Sequence, residues 1–167
     1  KESFKCMLHE GEIDSYETSE DGGLSLRGLY HGKMGYSYTE KIDDDSIAFL
    51  IDSAKRNADI LDEGDGTDIF EGSSDYANHS YYNEELANVT IPEKIELLRS
   101  IEAKIRAYDS RIVTLDYCML QQFTAERSLM NSKELSLSQK ENGLIIFLSV
   151  VVKDGDEMKT ASYLKMK

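Results

Sequence analysis

Gly23-Leu24-Ser25-Leu26-Arg27-Gly28-Leu29-Tyr30-His31-Gly32-Lys33-Met34-Gly35-Tyr36-Ser37-Tyr38-Thr39 decides the fold, because the sequence changes period directly after it. Asp21-Gly22-Gly23 opens a strand through Leu24, Leu26 and Gly28. His31-Gly32 is a turn of the kind that joins antiparallel strands, and Met34 to Thr39 returns with Tyr36 and Tyr38 on one face. From Ile42 to Asp62 the spacing is helical instead, with Ile47, Leu50, Ile51, Ala54, Ala58 and Leu61 forming the apolar stripe. Asp43, Asp44 and Asp45 supply an N-cap and negative charge at the positive end of that helix.

Upstream, Ser3 to Thr18 reads as another hairpin, turning at Glu10-Gly11, with Phe4, Cys6 and Leu8 alternating before the turn and Ile13 and Tyr16 beyond it. Downstream, Thr90 and Glu93 make a capping box with Pro92 in the first turn, and Ile95, Leu98, Ile101 and Ile105 give a second buried stripe ending near Asp109. Four strands are expected after it: Arg111 to Ser128, Leu129 to Lys140, Leu144 to Val152 and Met158 to Met166, with turns at Asn142-Gly143 and Asp154-Gly155. The expectation is an α+β fold, an antiparallel sheet of hairpins and meanders. Two main helices cover one face and bury Ile47, Leu50, Ile51, Leu98, Ile101 and Ile105. A faint internal pseudo-repeat relates the strand after Gly23 and its turn at Gly32 to the strand after Gly143 and its turn at Gly155.

The 167 residues fit a single domain, 1–167, and 40% hydrophobic with 31% charged residues is a soluble composition rather than a disordered or membrane one. Cys6 and Cys118 lack disulfide or zinc-type spacing, which suggests a reducing, cytoplasmic setting. The apolar run Leu144 to Val152 is too short for a membrane helix. Residues 1–92 carry 21 acids and 7 bases, whereas 93–167 carry 11 and 12, so the acidity belongs to the first half. That balance argues against nucleic acid or an anionic membrane as a direct partner. Asn57 to Glu93 holds ten acids and no lysine or arginine, and 63–90 reads as an acidic surface connection.

The motifs that carry chemistry fail on spacing. His9-Glu10 lacks the second histidine one helical turn away that a zinc peptidase motif requires, and Gly11 breaks the segment; His31 and His79 lie in other segments. Asp62, Asp65 and Asp68 suggest a calcium loop, yet Gly64 and Gly66 occupy the third and fifth ligand positions and Ser73 the twelfth. Asn78-His79-Ser80 and Asn88-Val89-Thr90 match a glycosylation triplet, which has meaning only in a secreted chain. No serine elbow or phosphate-binding glycine loop appears. Cys118 reads as an ordinary buried thiol.

Glu12 to Leu61, with Gly23-Leu24-Ser25-Leu26-Arg27, the segment His31 to Thr39, and a helix bearing Ala54 and Ala58, resembles the opening domain of the TldD/PmbA metallopeptidases, also described as modulators of DNA gyrase. Asp109-Ser110-Arg111-Ile112 and Asn131-Ser132 followed by Leu135 extend the resemblance nearly to the end. The family's asparagine-serine turn usually has glycine where Glu134 stands, which points to a positive φ there. Its signature positions here are Gly23, Arg27, Gly32, Gly35, Thr39, Asn131 and Ser132, in structural or peptide-path roles; none is carried over as catalyst or metal ligand. Lys1 is not a start methionine and Lys167 follows a strand pattern directly, so the chain is expected to be a piece of a larger protein.

The resemblance implies proteolysis by a two-domain protein whose catalytic subunits carry an HExxxH zinc motif beyond this region. It leaves open whether the parent is an enzyme or a PmbA-type partner lacking that motif. The expected function is a non-catalytic N-terminal domain forming part of a chamber for unfolded peptide. Its expected partner is a paralogous TldD/PmbA-type subunit or a second copy of itself, with no cofactor in this piece and zinc in the parent. The alternative is a stand-alone acidic protein-binding module of gyrase-modulator type.

Overall fold

A computed structural model describes residues 1–64, 67–77 and 79–167. The strands are β1 (Glu2–His9), β2 (Glu12–Glu20), β3 (Leu24–Tyr30), β4 (Lys33–Thr39), β5 (Ile112–Met130), β6 (Ser136–Asp154) and β7 (Glu157–Met166). The helices are α1 (Asp44–Ile60), α2 (Glu84–Asn88) and α3 (Ile91–Tyr108). Asp65 and Gly66 of the calcium-like stretch and Asn78 of one glycosylation triplet lie outside the described residues. The contacts form two compact units. The first is Lys1–Glu20, His79–Glu126 and Gln139–Lys167; the second is Asp21–Asn78 with Arg127–Ser138.

The first unit is a five-stranded sheet ordered β2-β1-β5-β6-β7, with β1 antiparallel to both β2 and β5, and β6 antiparallel to β7. Period-two alternation along β1 points Phe4, Cys6 and Leu8 inward, where they meet Leu115, Cys118 and Leu120 of β5 and Leu98 of α3. The Thr90–Glu93 box forms: the Thr90 amide donates to Glu93 Oε2 at 2.8 Å, and the Glu93 amide donates to Thr90 Oγ1 at 3.4 Å. In α3 Leu98 is fully buried, while Ile101 and Ile105 are half-buried and the fully buried place beside Ile101 goes to Glu102.

The second unit is the β3–β4 hairpin packed on α1. The antiparallel α+β class therefore holds, with each main helix on a sheet of its own. Asp43 caps α1 by accepting from the Ser46 amide at 3.0 Å. The buried ridge is Ser46, Leu50, Ala54 and Ala58, spaced four apart, whereas Ile47 (59% exposed) and Ile51 face solvent, correcting the predicted stripe. Alanine fits at 54 and 58 because the strand lies against the helix backbone there: a Cβ at Gly35 would collide with the Ala54 carbonyl oxygen and meet the Ala58 Cβ.

Two further expectations are corrected, and a short helix is added. The predicted strand Leu129 to Lys140 is instead the end of β5, a turn at 131–135 and the start of β6. Asn142-Gly143 is not a turn but lies within β6, where a Cβ on Gly143 would stand 2.7 Å from the Phe123 ring, so glycine admits the aromatic ring. The acidic connection contains a short helix, α2, capped by Asn83 through the Leu86 amide at 3.0 Å.

Candidate functional site

The signature residues gather at two places within the second unit. Ser37 Oγ donates to the Leu50 carbonyl at 2.7 Å and Asn57 Nδ2 to the Tyr36 carbonyl at 2.8 Å, locking β4 to α1 beside Gly35. Gly32 (φ 74°) and His31 (φ 51°) form the left-handed two-residue turn that the hairpin needs. His31 Nδ1 lies 3.4 Å from Asp59, and the Lys33 ammonium donates to the Leu61 carbonyl. Gly23 leaves room for the Tyr38 ring, and Thr39 Oγ1 accepts from the Lys41 amide at 3.1 Å. Arg27 pairs in register with Tyr36 on the hairpin face turned away from α1, where Leu29, Tyr36 and Tyr38 are exposed.

The second place is the Asn131 turn. Asn131 Oδ1 accepts from the amides of Lys133 at 2.9 Å and Leu135 at 3.1 Å, while its Nδ2 donates to the Phe70 carbonyl at 2.6 Å. Glu134 sits at φ 66°, the left-handed geometry that the family's usual glycine predicts. Lys133 Nζ reaches Asp68 and Glu71, each at 3.1 Å, and these bonds raise the lysine above its ordinary pKa. Asp68 is lowered, first by the Ile69 amide and then by Lys133. Ser132 is exposed. The Asn131 residues build a turn clamped to the segment around Phe70.

In the first unit the two sheet edges differ. The β2 edge carries Glu12, Asp14, Glu17 and Glu20, charges that discourage strand addition. Every residue of the β7 edge is exposed, including Met158, Tyr163, Leu164 and Met166. Beside it, Ile105, Tyr108, Ile112, Leu148, Val150 and Tyr163 are among the residues lining an apolar groove of about 470 Å³. Sequence patterning could not reveal this edge, because exposure of β7 follows from the order of strands in the sheet.

Burial pushes the Cys118 thiol up to about 12 and raises Cys6 as well, so neither offers a thiolate near neutral pH. His9 ends β1 on the surface beside Glu10, itself in the turn at φ 53°, and His79 packs against the Tyr81 ring. Among the described residues no group of three or more His, Cys, Asp or Glu side chains could hold a metal ion. Among the described residues no helix is long and apolar enough to cross a membrane.

An α+β chain of this topology matches solved structures of larger proteins. A Thermotoga maritima protein described as a modulator of DNA gyrase superposes at TM-score 0.84 with 19% identity, over 99% of this chain and 37% of that one. TldE from Thermococcus kodakarensis gives TM-score 0.81 and 15% identity over 99% and 38% of the two chains. A Bacteroides thetaiotaomicron protein described as a modulator of DNA gyrase gives 0.77 and 15% over 99% and 38%. The chain thus spans little more than a third of these proteins. The profile for PmbA/TldA metallopeptidase domain 1 matches residues 2–58, and that for the family's central domain matches 84–166. The chain belongs to the PmbA/TldA (TldD/PmbA) metallopeptidase family. The domain 1 profile joins β1 and β2 of the first unit to β3, β4 and α1 of the second. No curated protein matches at a significant level.

Proposed function

We propose that this region is a non-catalytic, N-terminal part of a TldD/PmbA-type peptidase subunit, one that helps to hold unfolded peptide for hydrolysis elsewhere in the assembly. The observation that carries the reading is the β7 edge. It offers unpaired main-chain groups along ten residues, flanked by exposed Met and Tyr side chains and the apolar groove, whereas the β2 edge is guarded by acids. A peptide added to β7 gains main-chain hydrogen bonds regardless of its sequence, which suits a mixed population of substrates. The catalytic zinc of this reading lies outside the chain, on the parent or on a paralogous subunit or second copy paired with it, in the cytoplasm.

The test compares this chain with the full-length parent, with and without a family partner subunit, for zinc stoichiometry and casein cleavage. The reading expects cleavage only when the missing region and the partner are restored. Stoichiometric zinc with chelator-sensitive cleavage by this chain alone would overturn it.

A further inference from the structure

The first unit holds a second cavity, of about 400 Å³, under the first turns of α3 and over the open end of β2, β1 and β5. Four of its lining side chains, Lys94, Gln122, Glu2 and Glu20, bear on what it could hold. Lys94, reaching in from α3, is only 6% exposed, and its ammonium makes no hydrogen bond or ion pair among the described residues. The nearest opposite charge acting on it, Glu93, is engaged with the Thr90 amide and hydroxyl. Burial holds the Lys94 ammonium below its ordinary pKa. Gln122 Oε1 is buried without a hydrogen-bond donor. Glu2 and Glu20, also lining the cavity, stand directly opposite each other in the β1–β2 register, where like charges repel.

These needs are complementary in sign and position. The unsatisfied carbonyl oxygen of Gln122 requires a donor, the largely buried Lys94 side chain favours an anion where its ammonium meets the cavity, and the two exposed facing carboxylates at the rim favour a cation. We propose that the Lys94 cavity binds a small zwitterion of α-amino-acid type, with its carboxylate on Lys94 and its ammonium between Glu2, Glu20 and Gln122 Oε1. A simple anion would satisfy Lys94 but meet the two glutamates, and a simple cation would meet the lysine; only a ligand carrying both charges answers the whole lining. Ile91 and Phe4 supply the apolar wall against which a short side chain rests. The site lies apart from the β7 edge and does not depend on the peptide reading.

The experiment titrates the isotopically labelled chain with L-alanine, acetate and methylammonium, following the Gln122 side-chain amide and the Lys94 Cε and Nζ resonances by NMR. The proposal expects saturable shifts at both residues with L-alanine. Acetate and methylammonium should each bind at least tenfold more weakly. Lys94→Met keeps the aliphatic stem and should lose at least tenfold in affinity. The surface pair Glu2→Gln/Glu20→Gln leaves the core untouched and should lose a similar factor even if the Lys94 variant folds poorly. Absence of a saturable shift, acetate binding as tightly as L-alanine, or unchanged affinity in the glutamate pair variant would overturn the proposal.

Discussion

The carboxylate of Glu102 accepts the backbone amide of Gly11 at 2.9 Å, tying the middle of α3 to the β1–β2 turn. Arg99 closes the other side by donating from Nε to the Gly11 carbonyl at 3.2 Å, and Arg106 Nε donates to Glu102 Oε1 at 3.0 Å. Glu102 is only 2% exposed, so its removal strands a partly buried amide and a partly buried guanidinium together. Glu102→Ala is expected to destabilise the chain by roughly 3 kcal/mol, and Glu102→Gln, which keeps an acceptor oxygen, by about half as much. Urea denaturation measures both; equal losses would contradict the hydrogen-bonded role.

Gly35 is set by the approach of α1. Gly35→Ala places a methyl group against the Ala54 carbonyl oxygen, and because that oxygen belongs to helix backbone the strain cannot be relieved by a rotamer change. The expected cost is about 3 kcal/mol, with faster amide exchange along α1. Gly28→Ala, on the neighbouring strand with open space around it, should change α1 exchange far less.

At Glu134 the local geometry favours the family's glycine. With φ at 66°, Glu134→Gly relieves left-handed strain of roughly 1–2 kcal/mol, offset in part by the freer unfolded chain. A net gain of about 0.5–1 kcal/mol should appear as a higher denaturation midpoint. A loss would show that the turn does not strain the glutamate.

Asp109, at the end of α3, accepts from Arg111 Nε at 3.1 Å, from Arg111 Nη2 at 2.7 Å and from the Arg111 amide at 2.9 Å, which hold its carboxyl at about 2. Its folded pKa thus lies below the ordinary unfolded value of about 3.9. The stabilisation is therefore present above pH ~4 and is lost as the pH falls from there through the folded pKa near 2. Asp109→Asn should flatten the acid limb of a stability–pH curve in that window and leave its slope near neutrality unchanged. High salt should weaken the wild-type effect, since the pair is exposed.

Hairpins, caps and turns were legible because they depend on neighbours in sequence. His31-Gly32, the Asp43 cap and the Thr90–Glu93 box followed from local chemistry, whereas the positive φ at Glu134 was implied by the resemblance. The α1 face was misread because an apolar count favours Ile47 and Ile51, whereas close packing against Gly35 selects Ala54 and Ala58. Glu102 and Lys94 were invisible for the opposite reason. A charged residue in an amphipathic helix reads as solvent-facing until the strand turn or cavity beneath it is known. The division of the helices between two sheets also depends on which strands pair, and β6 runs through the end of one expected strand and the whole of the next.

The most direct measurement is hydrogen exchange of the β7 amides, in this chain and in the full-length parent, during titration with an unfolded casein-derived peptide. The account predicts protection of alternate β7 amides, those pointing away from β6, rising with peptide and leaving β2 unchanged. Exchange along Glu157–Met166 that is unaffected by peptide, or a β7 edge already protected in the full-length protein before peptide is added, would contradict it.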